Sequence, residues 1–420
     1  MQILVIGAGI GGLITALSLE AAGFDDVVVA ERSSEIRGLG VGINLLPHAV
    51  RELTELGAAE RIAELGVEPG TLAYFNRHGQ PIWSEPRGRD AGYEWPQLSV
   101  HRGRLQLALR DLVEERLPGA IRLGHRLVET SQDGATATFE LPDGTRTEIS
   151  ADVIVAADGI HSAARAQRYP HEGAPVWGGL TLWRGTALVE PYLDGRTMVM
   201  VGDAEQKFVA YPLGAASGDG AGKQRINFIA ERRGGGIGSG SDADWNRQIE
   251  RGPVAELFDG WTYDWLDVPA IIADAEELLE YPMVDRDAIP SWVFGRTVLL
   301  GDAAHAMYPN GSNGGSQATL DARTLAYRLA TAATVEEALA AYEADRRPAT
   351  ARLLEMTRRT GPERVMQIAR ERAPEGFDDV HDVIPADELE SIAAEYKLAA
   401  GFHPDQLNAR SSLSARVAAE

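Results

Sequence analysis

The stretch of the chain with the most chemical content lies late in the sequence, at residues 301–315. It follows a short apolar strand at residues 297–300 and leads into a helical pattern that starts at Ser316. Asp302 stands at the end of the strand, where its carboxylate can hold the hydroxyls of a ribityl chain, and the next helix points its positive end at the same ligand. This pattern predicts a flavin site, although a turn or helix-capping acid is the alternative interpretation of Asp302.

Other residues of the same stretch support this prediction. Gly311, Gly314 and Gly315 let the backbone lie against a ring system, and Pro309 stiffens the turn that would face the reactive edge of the ring. The start of the helix near Gly314 would lie where negative charge collects on a flavin during reduction. His305 is interpreted as a packed, hydrogen-bonded histidine in preference to an acid or a base.

A glycine-rich loop at the start of the chain predicts a dinucleotide site. An apolar strand precedes Gly7, Gly9 and Gly12, and a helical pattern follows them. The first glycine permits a tight turn, the second lets the backbone approach a pyrophosphate, and the third lets helix and strand pack closely. Glu31 ends the next strand, where it can accept hydrogen bonds from both ribose hydroxyls and would repel a 2′-phosphate. We therefore expect FAD or an NAD-like nucleotide and not NADP, whereas a simple tight turn would leave Glu31 unexplained.

Three apolar strands far apart in the sequence each end in an acid. These acids are Glu31, Asp158 and Asp302. If the strands belong to one parallel sheet, their carboxyl ends lie at the same edge and the acids face one ligand. The sequence therefore predicts an α/β cofactor domain that is discontinuous along the chain.

The segments between these strands alternate between apolar and polar residues. Residues 136–141 and 146–149 flank an Asp-Gly turn and predict a hairpin. Similar runs within residues 179–281 predict a mostly antiparallel sheet, which we assign to a substrate domain, and the glycine-rich residues 234–240 predict a surface loop. The predicted division is an FAD-binding domain at 1–72, 97–178 and 282–360, a substrate domain at 73–96 and 179–281, and a C-terminal helical tail at 361–420.

Composition narrows the classes of function. The 420 residues include no cysteine, so any redox chemistry must use a bound cofactor. The net charge of -22 argues against nucleic acid or an anionic membrane as a partner, and its simplest interpretation is solubility. No apolar run is long enough to span a bilayer, and the N-terminus has no basic leader. We expect a cytoplasmic monomer or homodimer that binds a small aromatic substrate and no metal.

Three motifs taken together resemble the group A flavoprotein monooxygenases, a family of aromatic hydroxylases. They are the first glycine loop with Glu31, the segment Asp-Gly-Ile-His-Ser-Ala-Ala-Arg at residues 158–165, and Gly301-Asp302 with its following proline and glycines. The middle motif is highly specific. The resemblance covers about residues 1–359 and implies a Rossmann-like FAD-binding domain of the 4-hydroxybenzoate hydroxylase type, interleaved with a substrate domain and followed by C-terminal helices.

Further stretches are similar to the phenazine-carboxylate monooxygenases within this family. They are residues 33–47, 83–88, 183–185, 281–287 and 307–321. The chain departs from the commoner hydroxylase pattern at Ala306, where proline usually follows the histidine, and at Asn313, where glutamine or lysine is frequent. The tail after Gly361 also differs, so the resemblance does not define the substrate.

The resemblance implies cofactor roles for individual residues. Asp158 and Arg165 lie where FAD pyrophosphate and incoming NAD(P)H would meet. Arg102 matches an arginine that contacts the flavin nucleotide, with a surface arginine at a helix start as the alternative. The full set expected to bind FAD is Gly7, Gly9, Ile10, Gly11, Gly12, Glu31, Arg32, Val41, Gly42, Arg102, Leu127, Asp158, Arg165, Asp302, Gly311, Asn313, Gly314 and Gly315.

The resemblance also implies a mechanism. NADH or NADPH would reduce FAD, O₂ would add at flavin C4a, and the hydroperoxide would transfer its distal oxygen to an aromatic or N-heteroaromatic ring, with a phenazine-like carboxylate as one hypothesis. Tyr211, Pro309 and Arg184 are candidates for the substrate pocket, where Arg184 would bind a substrate carboxylate or instead form a structural ion pair. Trp183, Met200 and Tyr308 are further candidates. Burial in the core is the alternative for these three residues and for Tyr211.

Two other functional classes remain open at this stage. One is a flavin oxidase or dehydrogenase that inserts no oxygen, and the other is a non-enzymatic NAD-binding module.

Overall fold

The structure, a computed structural model, describes residues 1–38, 40–215, 222–234, 247–359, 361–399 and 401–417. The glycine-rich loop predicted at 234–240 lies outside these residues except for Gly234. The strands are β1 (Ile3–Ile6), β2 (Val27–Ala30), β3 (Gly42–Leu45), β4 (Gly66–Val67), β5 (Thr71–Phe75), β6 (Pro81–Pro86), β7 (Leu98–His101), β8 (Ile121–Arg122), β9 (Arg126–Thr130), β10 (Thr136–Glu140), β11 (Arg146–Ser150), β12 (Val153–Ala156), β13 (Val176–Val189), β14 (Thr197–Gly202), β15 (Gln206–Ala215), β16 (Gln224–Arg233), β17 (Arg247–Gln248), β18 (Thr262–Tyr263), β19 (Leu266–Asp267), β20 (Leu278–Asp285), β21 (Val293–Phe294) and β22 (Thr297–Leu299).

The helices complete the framework. They are α1 (Ile10–Ala21), α2 (Pro47–Glu55), α3 (Ala59–Ala63), α4 (Arg102–Arg116), α5 (Ala163–Arg168), α6 (Arg251–Leu257), α7 (Val268–Ala273), α8 (Asp302–His305), α9 (Gly314–Thr331), α10 (Val335–Arg358), α11 (Arg364–Arg372), α12 (Ala386–Ala399) and α13 (Pro404–Ala409). Short 3-10 turns occur at Gly88–Ala91, Gly361–Glu363 and Val380–Asp382.

A sheet of six strands forms the first half of the fold, in the order β21-β22-β12-β1-β2-β8. β1 pairs in parallel with β2 and β12, and β12 pairs in parallel with β22. The residues of β1, β2 and β12 are all buried, because a parallel sheet is covered on both faces and its strands are apolar throughout. The carboxyl ends of β2, β12 and β22 therefore meet at one edge, which confirms the α/β prediction.

Close packing around the first loop requires two of its glycines. Gly7 has φ of 101°, and a Cβ there would lie 2.6 Å from the carbonyl oxygen of Ala157. A Cβ on Gly12 would lie 1.9 Å from the carbonyl oxygen of Gly7. Helix α1 can therefore start directly after this loop and pack against α4 and α9.

A sheet of eight strands forms the second half, in the order β17-β20-β13-β16-β15-β14-β5-β6. Its strand pairs are antiparallel apart from the parallel pair β5 and β14, which confirms a mostly antiparallel sheet. Alternate side chains point to opposite faces. Phe208 and Phe228 pack on one face with residues of α6 and α7, whereas Val209 and Tyr211 lie on the other face with residues of α11.

Three strands cross boundaries that the sequence predicted between domains. β5 runs across the boundary at 72/73, β13 across the boundary at 178/179, and β20 across the boundary at 281/282. β20 stays in the larger sheet to its end because Val284 and Asp285 still pair with β13. The division of the chain into domains itself stays a prediction.

The predicted hairpin and the helical tail are both present. β10 and β11 pair antiparallel, with Thr136 opposite Ser150. The tail forms α11, α12 and α13, and residues of α11 pack against the larger sheet. The end of the tail is held at α2, where Arg51 donates hydrogen bonds to the carbonyl oxygens of Leu407 and Arg410.

The buried carboxylate of Asp321 joins α8, α9 and α10. It accepts hydrogen bonds from the backbone N–H of Gly301 at 3.1 Å and from Arg346 Nε at 2.7 Å, and it also bonds to His305 Nε2. Burial opposes ionisation, but His305 and Arg346 lower the pKa of Asp321 to about 2. The prediction of a packed, hydrogen-bonded His305 is confirmed.

We expect Asp321→Asn to lower the free energy of unfolding by about 3–5 kcal/mol at neutral pH, because Arg346 would stay buried without its anion. Urea unfolding measures this difference. Since the folded-state pKa is lowered from 3.8 to about 2, the carboxylate contributes fully above 3.8 and loses its contribution as the pH falls through about 2. The control is Asp345→Asn, which breaks an exposed pair with Arg328 and should cost about 0.5 kcal/mol or less. Equal losses in the two variants would contradict this account.

Candidate functional site

A large cleft lies between the carboxyl edge of the six-stranded sheet and one face of the eight-stranded sheet. Its empty volume, including the open mouth, is about 1460 Å³. Gly9 and Asp302 lie on one wall, and Met200 and Tyr211 lie on the other. The part of this space that a water-sized molecule can occupy is about 360 Å³. This value lies within the roughly 300–1,000 Å³ of small-molecule sites, so the cleft has the size of a ligand site.

Two helices begin at this cleft without a side-chain cap. α1 follows Gly9 and α9 follows Asn313, and neither helix has an acidic residue in its first turn. Gly9, Gly314 and Gly315 line the cleft. The first N–H groups of a helix have no acceptor within the helix and carry its positive end. The cleft therefore attracts a ligand that is anionic or rich in electrons at two places.

Several glycines border open space at the cleft. A Cβ added to Gly9, Gly159 or Gly314 would have no atom within 4 Å. Protein packing does not require glycine at these positions, although Gly159 also has a positive φ of 79°. The open space leaves backbone accessible to a flat or extended ligand. These positions and the two helix ends are what an FAD molecule needs from its site.

Glu31 organises the first loop from the end of β2. Its Oε2 accepts a hydrogen bond from the Ala8 N–H at 2.8 Å, and its Oε1 accepts one from the Ser33 N–H at 2.9 Å. Each carboxylate oxygen keeps a further lone pair for a ligand hydroxyl. Arg32, the next residue, is exposed.

Charged side chains of both signs line the cleft near α8. Asp302 is exposed on the cleft wall directly after Gly301, which has φ of 61°. Arg102 begins α4 and also lines the cleft. The concave surroundings and the charge of Arg184 lower the pKa of Arg102, and Asp302 opposes this shift. This end of the cleft therefore suits a ligand with an anionic group and hydroxyls.

Arg184 reaches the cleft from β13 of the larger sheet. Its Nη2 donates a hydrogen bond to the Gly42 carbonyl oxygen at 3.1 Å, and its charged group lies near the side chain of Tyr211. Its buried Nε has no partner among the described residues. Burial raises the pKa of Tyr211 to about 12, and Arg184 partly opposes the shift. Arg184 thus keeps donor capacity for an anion at the cleft.

Asp158 and Arg165 lie in the predicted middle motif but make different contacts. Asp158 Oδ2 accepts a hydrogen bond from the Ala163 N–H at 2.8 Å, whereas its buried Oδ1 has no partner in the described part of the chain. Arg165 is 1% exposed and donates to Glu172 and to the carbonyl oxygens of Ala303 and Ala304. Arg165 does not line the cleft and instead holds α8 in place.

The remaining predicted cofactor residues fall into two groups. Gly42, Ile10 and Gly11 line the cleft. Val41 is buried next to Gly42, whose N–H donates to Asn227 Oδ1 at 2.6 Å. Leu127 is buried in β9, opposite Phe139 of β10, and is absent from the cleft wall.

The loop before α9 is held by a residue of the C-terminal tail. Asn313 is fully buried and donates from Nδ2 to Tyr396 Oη at 2.5 Å. A Cβ on Gly311, where φ is 76°, would lie 2.0 Å from the same hydroxyl. Gly311 and Asn313 therefore shape the loop, while Pro309 lies on the cleft wall.

The pocket candidates divide according to the face of the larger sheet. Tyr211 and Met200 line the cleft. Trp183 points to the opposite face, where its Nε1 donates to Glu280 at 2.9 Å, and the buried Tyr308 does not line the cleft. Sequence reasoning missed Glu231, Asn310 and Glu363, which do line it. The acid that directly follows the mostly apolar residues 226–230 was an available signal for Glu231.

No helix among the described residues is long and apolar enough to cross a membrane. No group of three or more metal-ligating side chains in that part of the chain could hold a metal ion.

Comparison with known proteins agrees with this geometry. A family model described as an FAD binding domain matches residues 1–206 and 266–357. The phenazine 1,6-dicarboxylic acid hydroxylase PhzS of Lysobacter antibioticus is 40% identical over 363 residues, which cover 85% of this chain and 89% of that protein. A salicylate hydroxylase of Pseudomonas putida is 28% identical, with 86% of this chain and 85% of that protein covered.

Solved structures support the fold. The structure of Klebsiella pneumoniae HpxO complexed with FAD and uric acid has a TM-score of 0.73 and 24% identity, covering 97% of this chain and 96% of that one. A 2,6-dihydroxypyridine-3-hydroxylase from Arthrobacter nicotinovorans has a TM-score of 0.69 and 23% identity, with 90% and 94% covered. The chain therefore belongs to the FAD binding domain family and is an FAD-dependent monooxygenase of the aromatic hydroxylase group.

Proposed function

We propose that the protein uses NADH or NADPH to hydroxylate an aromatic or N-heteroaromatic carboxylate next to an FAD held in the cleft. The observation that carries the proposal is the convergence of two uncapped helix N-termini, those of α1 and α9, on a cleft that continues to the larger sheet. FAD bound in the cleft would supply, once reduced by the nicotinamide nucleotide, the activated oxygen that is transferred to the ring.

The chain's own residues would hold the cofactor at three places. The start of α1, directly after the loop from Gly7 to Gly12, would meet the pyrophosphate, because the first amides of this helix have no side-chain acceptor. Glu31 accepts hydrogen bonds from the adenosine ribose, and Asp302 accepts them from the ribityl hydroxyls. The start of α9 stabilises the negative charge of the reduced ring system.

The substrate would lie against the cleft-facing side chains of the larger sheet. Met198, Met200, Val209 and Ile229 give this wall an apolar surface. Such a surface excludes water, so that activated oxygen is transferred before it decomposes. Arg184 supplies the charge for a carboxylate, and two relatives have names that state an aromatic carboxylic acid as substrate. A phenazine-like carboxylate is our first choice because the Lysobacter relative is the more similar of these two.

A substrate panel tests the proposed reaction. We expect one class among phenazine, quinoline and benzoate carboxylates to stimulate oxidation of NADH or NADPH by the FAD-loaded protein. Mass analysis should show a product that has gained one oxygen atom, or has exchanged CO₂ for a hydroxyl if the attacked carbon carries the carboxylate. Oxidation that yields only hydrogen peroxide with every compound would identify an oxidase instead.

The variant Asp302→Ala tests the ribityl contact. We expect the Kd for FAD to rise about tenfold to a hundredfold, since hydrogen bonds to a charged group contribute about 1.5–3 kcal/mol. Fluorescence titration of the apoprotein with FAD measures the Kd, and circular dichroism checks the fold. Asp274→Ala, an exposed position after α7, is the matched control and should keep the wild-type Kd. An unchanged Kd in Asp302→Ala would refute this role.

The variant Arg184→Met tests carboxylate recognition. We expect the KM for the carboxylate substrate to rise about tenfold to a hundredfold, because a charge-assisted hydrogen bond is lost. An analogue without the carboxylate should react equally with wild type and variant. Arg225→Met, which removes an arginine paired with Glu276 outside the cleft, is the control. Equal losses with both compounds would indicate a structural role for Arg184.

A further inference from the structure

Three buried charged residues form a cluster where the cleft ends. Lys207 of β15 lies directly opposite Glu231 of β16, and the distance from its Nζ to Glu231 Oε2 is 3.1 Å. Lys207 Nζ also contacts Glu363 Oε2, from the 3-10 turn that follows α10. The three side chains are 8%, 5% and 9% exposed. We call these residues the Lys207 cluster.

The Lys207 cluster has one more acid than base. Burial lowers the pKa of Lys207, but the two glutamates more than reverse this and raise it, so the lysine stays an ammonium. Burial and the neighbouring Glu363 raise the pKa of Glu231, against the lowering effects of Lys207 and Arg184. If all three groups are ionised, the net charge is one negative. A proton that enters the cluster therefore binds to a carboxylate.

The two carboxylates face two separate spaces. Glu231 and Glu363 line the cleft, and both also line a side pocket with an empty volume of about 440 Å³. The side pocket is bordered by the exposed Arg233 and the half-buried Gln206 and Gln367, which places its rim near solvent. Its polar walls can hold water. The Lys207 cluster thus separates the proposed substrate position from water.

We propose that the Lys207 cluster is a proton relay in which Glu231 accepts a proton from the substrate and passes it to water in the side pocket. The relay acts on a substrate whose ring carries a hydroxyl or an N–H group. That O–H or N–H bond breaks, its electron pair stays on the ring system, and an O–H bond forms on Glu231. Glu231 then releases this proton to water and returns to the carboxylate. The relay rests on the proposed hydroxylation, since the retained electron pair makes the ring a better nucleophile towards activated oxygen.

A purely structural cluster is the competing explanation, because Glu363 also joins the tail to the larger sheet. Burying three charges is costly, and their mutual attraction offsets the desolvation only with good geometry. A structural cluster has no need for its carboxylates to border both the cleft and the side pocket. The two explanations differ in whether Glu231 exchanges a proton at working pH.

Infrared difference spectra test proton exchange without any substrate. The FAD-loaded wild type, titrated with acid, should gain the C=O band of a buried protonated carboxyl group that Glu231→Gln lacks. Glu205→Gln, which changes an exposed acid paired with Arg233, is the control and should keep the band. Absence of a band that depends on Glu231 would overturn the relay, whatever the substrate panel shows.

The pH profile of hydroxylation is the second test, and it uses a panel compound that carries a ring hydroxyl or N–H group and gives product. Wild-type turnover should fall on the acid side as Glu231 becomes protonated. Glu231→Gln should no longer show this fall in turnover at acid pH. Its rate of hydroxylation should be about a hundredfold lower than that of wild type, which is the lower end of the effect of a general base. Glu363→Gln removes a like charge and should move the fall in turnover to lower pH. If both variants hydroxylate at the wild-type rate and with the wild-type dependence on acid pH, the proposal is overturned.

Discussion

Two helix N-termini that open without caps onto the same cleft are the constraint on which this molecule depends. The first amides of α1 and α9 have no side-chain acceptor, and no acid stands in either first turn. Such groups are stabilised by an anionic ligand or by water. The parallel sheet brings the two helices together, since β1 leads into α1 and its second neighbour, β22, leads to the loop before α9. The order of the strands in the sheet therefore brings together the two helix N-termini that suit FAD.

The geometry of the cleft also depends on residues that never reach it. Asp321 binds the Gly301 N–H, His305 and Arg346, and so it fixes the short helix that begins with Asp302. Arg165 also holds this helix, because it donates hydrogen bonds to the carbonyl oxygens of Ala303 and Ala304. Two buried charged side chains thus determine the position of one exposed carboxylate. A motif arginine can therefore help to shape the cleft without lining it.

The sequence predicted those parts of the fold and the candidate site that depend on local patterns. A few neighbouring residues are enough to recognise an apolar strand that ends in an acid. The same is true of a glycine at which one backbone segment must approach another. Whether a predicted pocket residue lines the cleft depends on the face of the sheet to which its side chain points. Neighbouring residues of a strand point to opposite faces, so a shift of one residue moves a side chain to the other face. Met200 therefore lines the cleft while Trp183 packs on the opposite face. Tyr396 and Glu363 could not be predicted, because their positions depend on how the tail folds back over the larger sheet.

The central claim is that the cleft supports transfer of oxygen from O₂ to an aromatic ring. The most direct measurement is product mass after turnover under isotopically labelled O₂ in ordinary water, with NADH or NADPH as the reductant. We expect one labelled oxygen atom in each product molecule. A product whose new oxygen comes from water, or label found only in hydrogen peroxide, would contradict it.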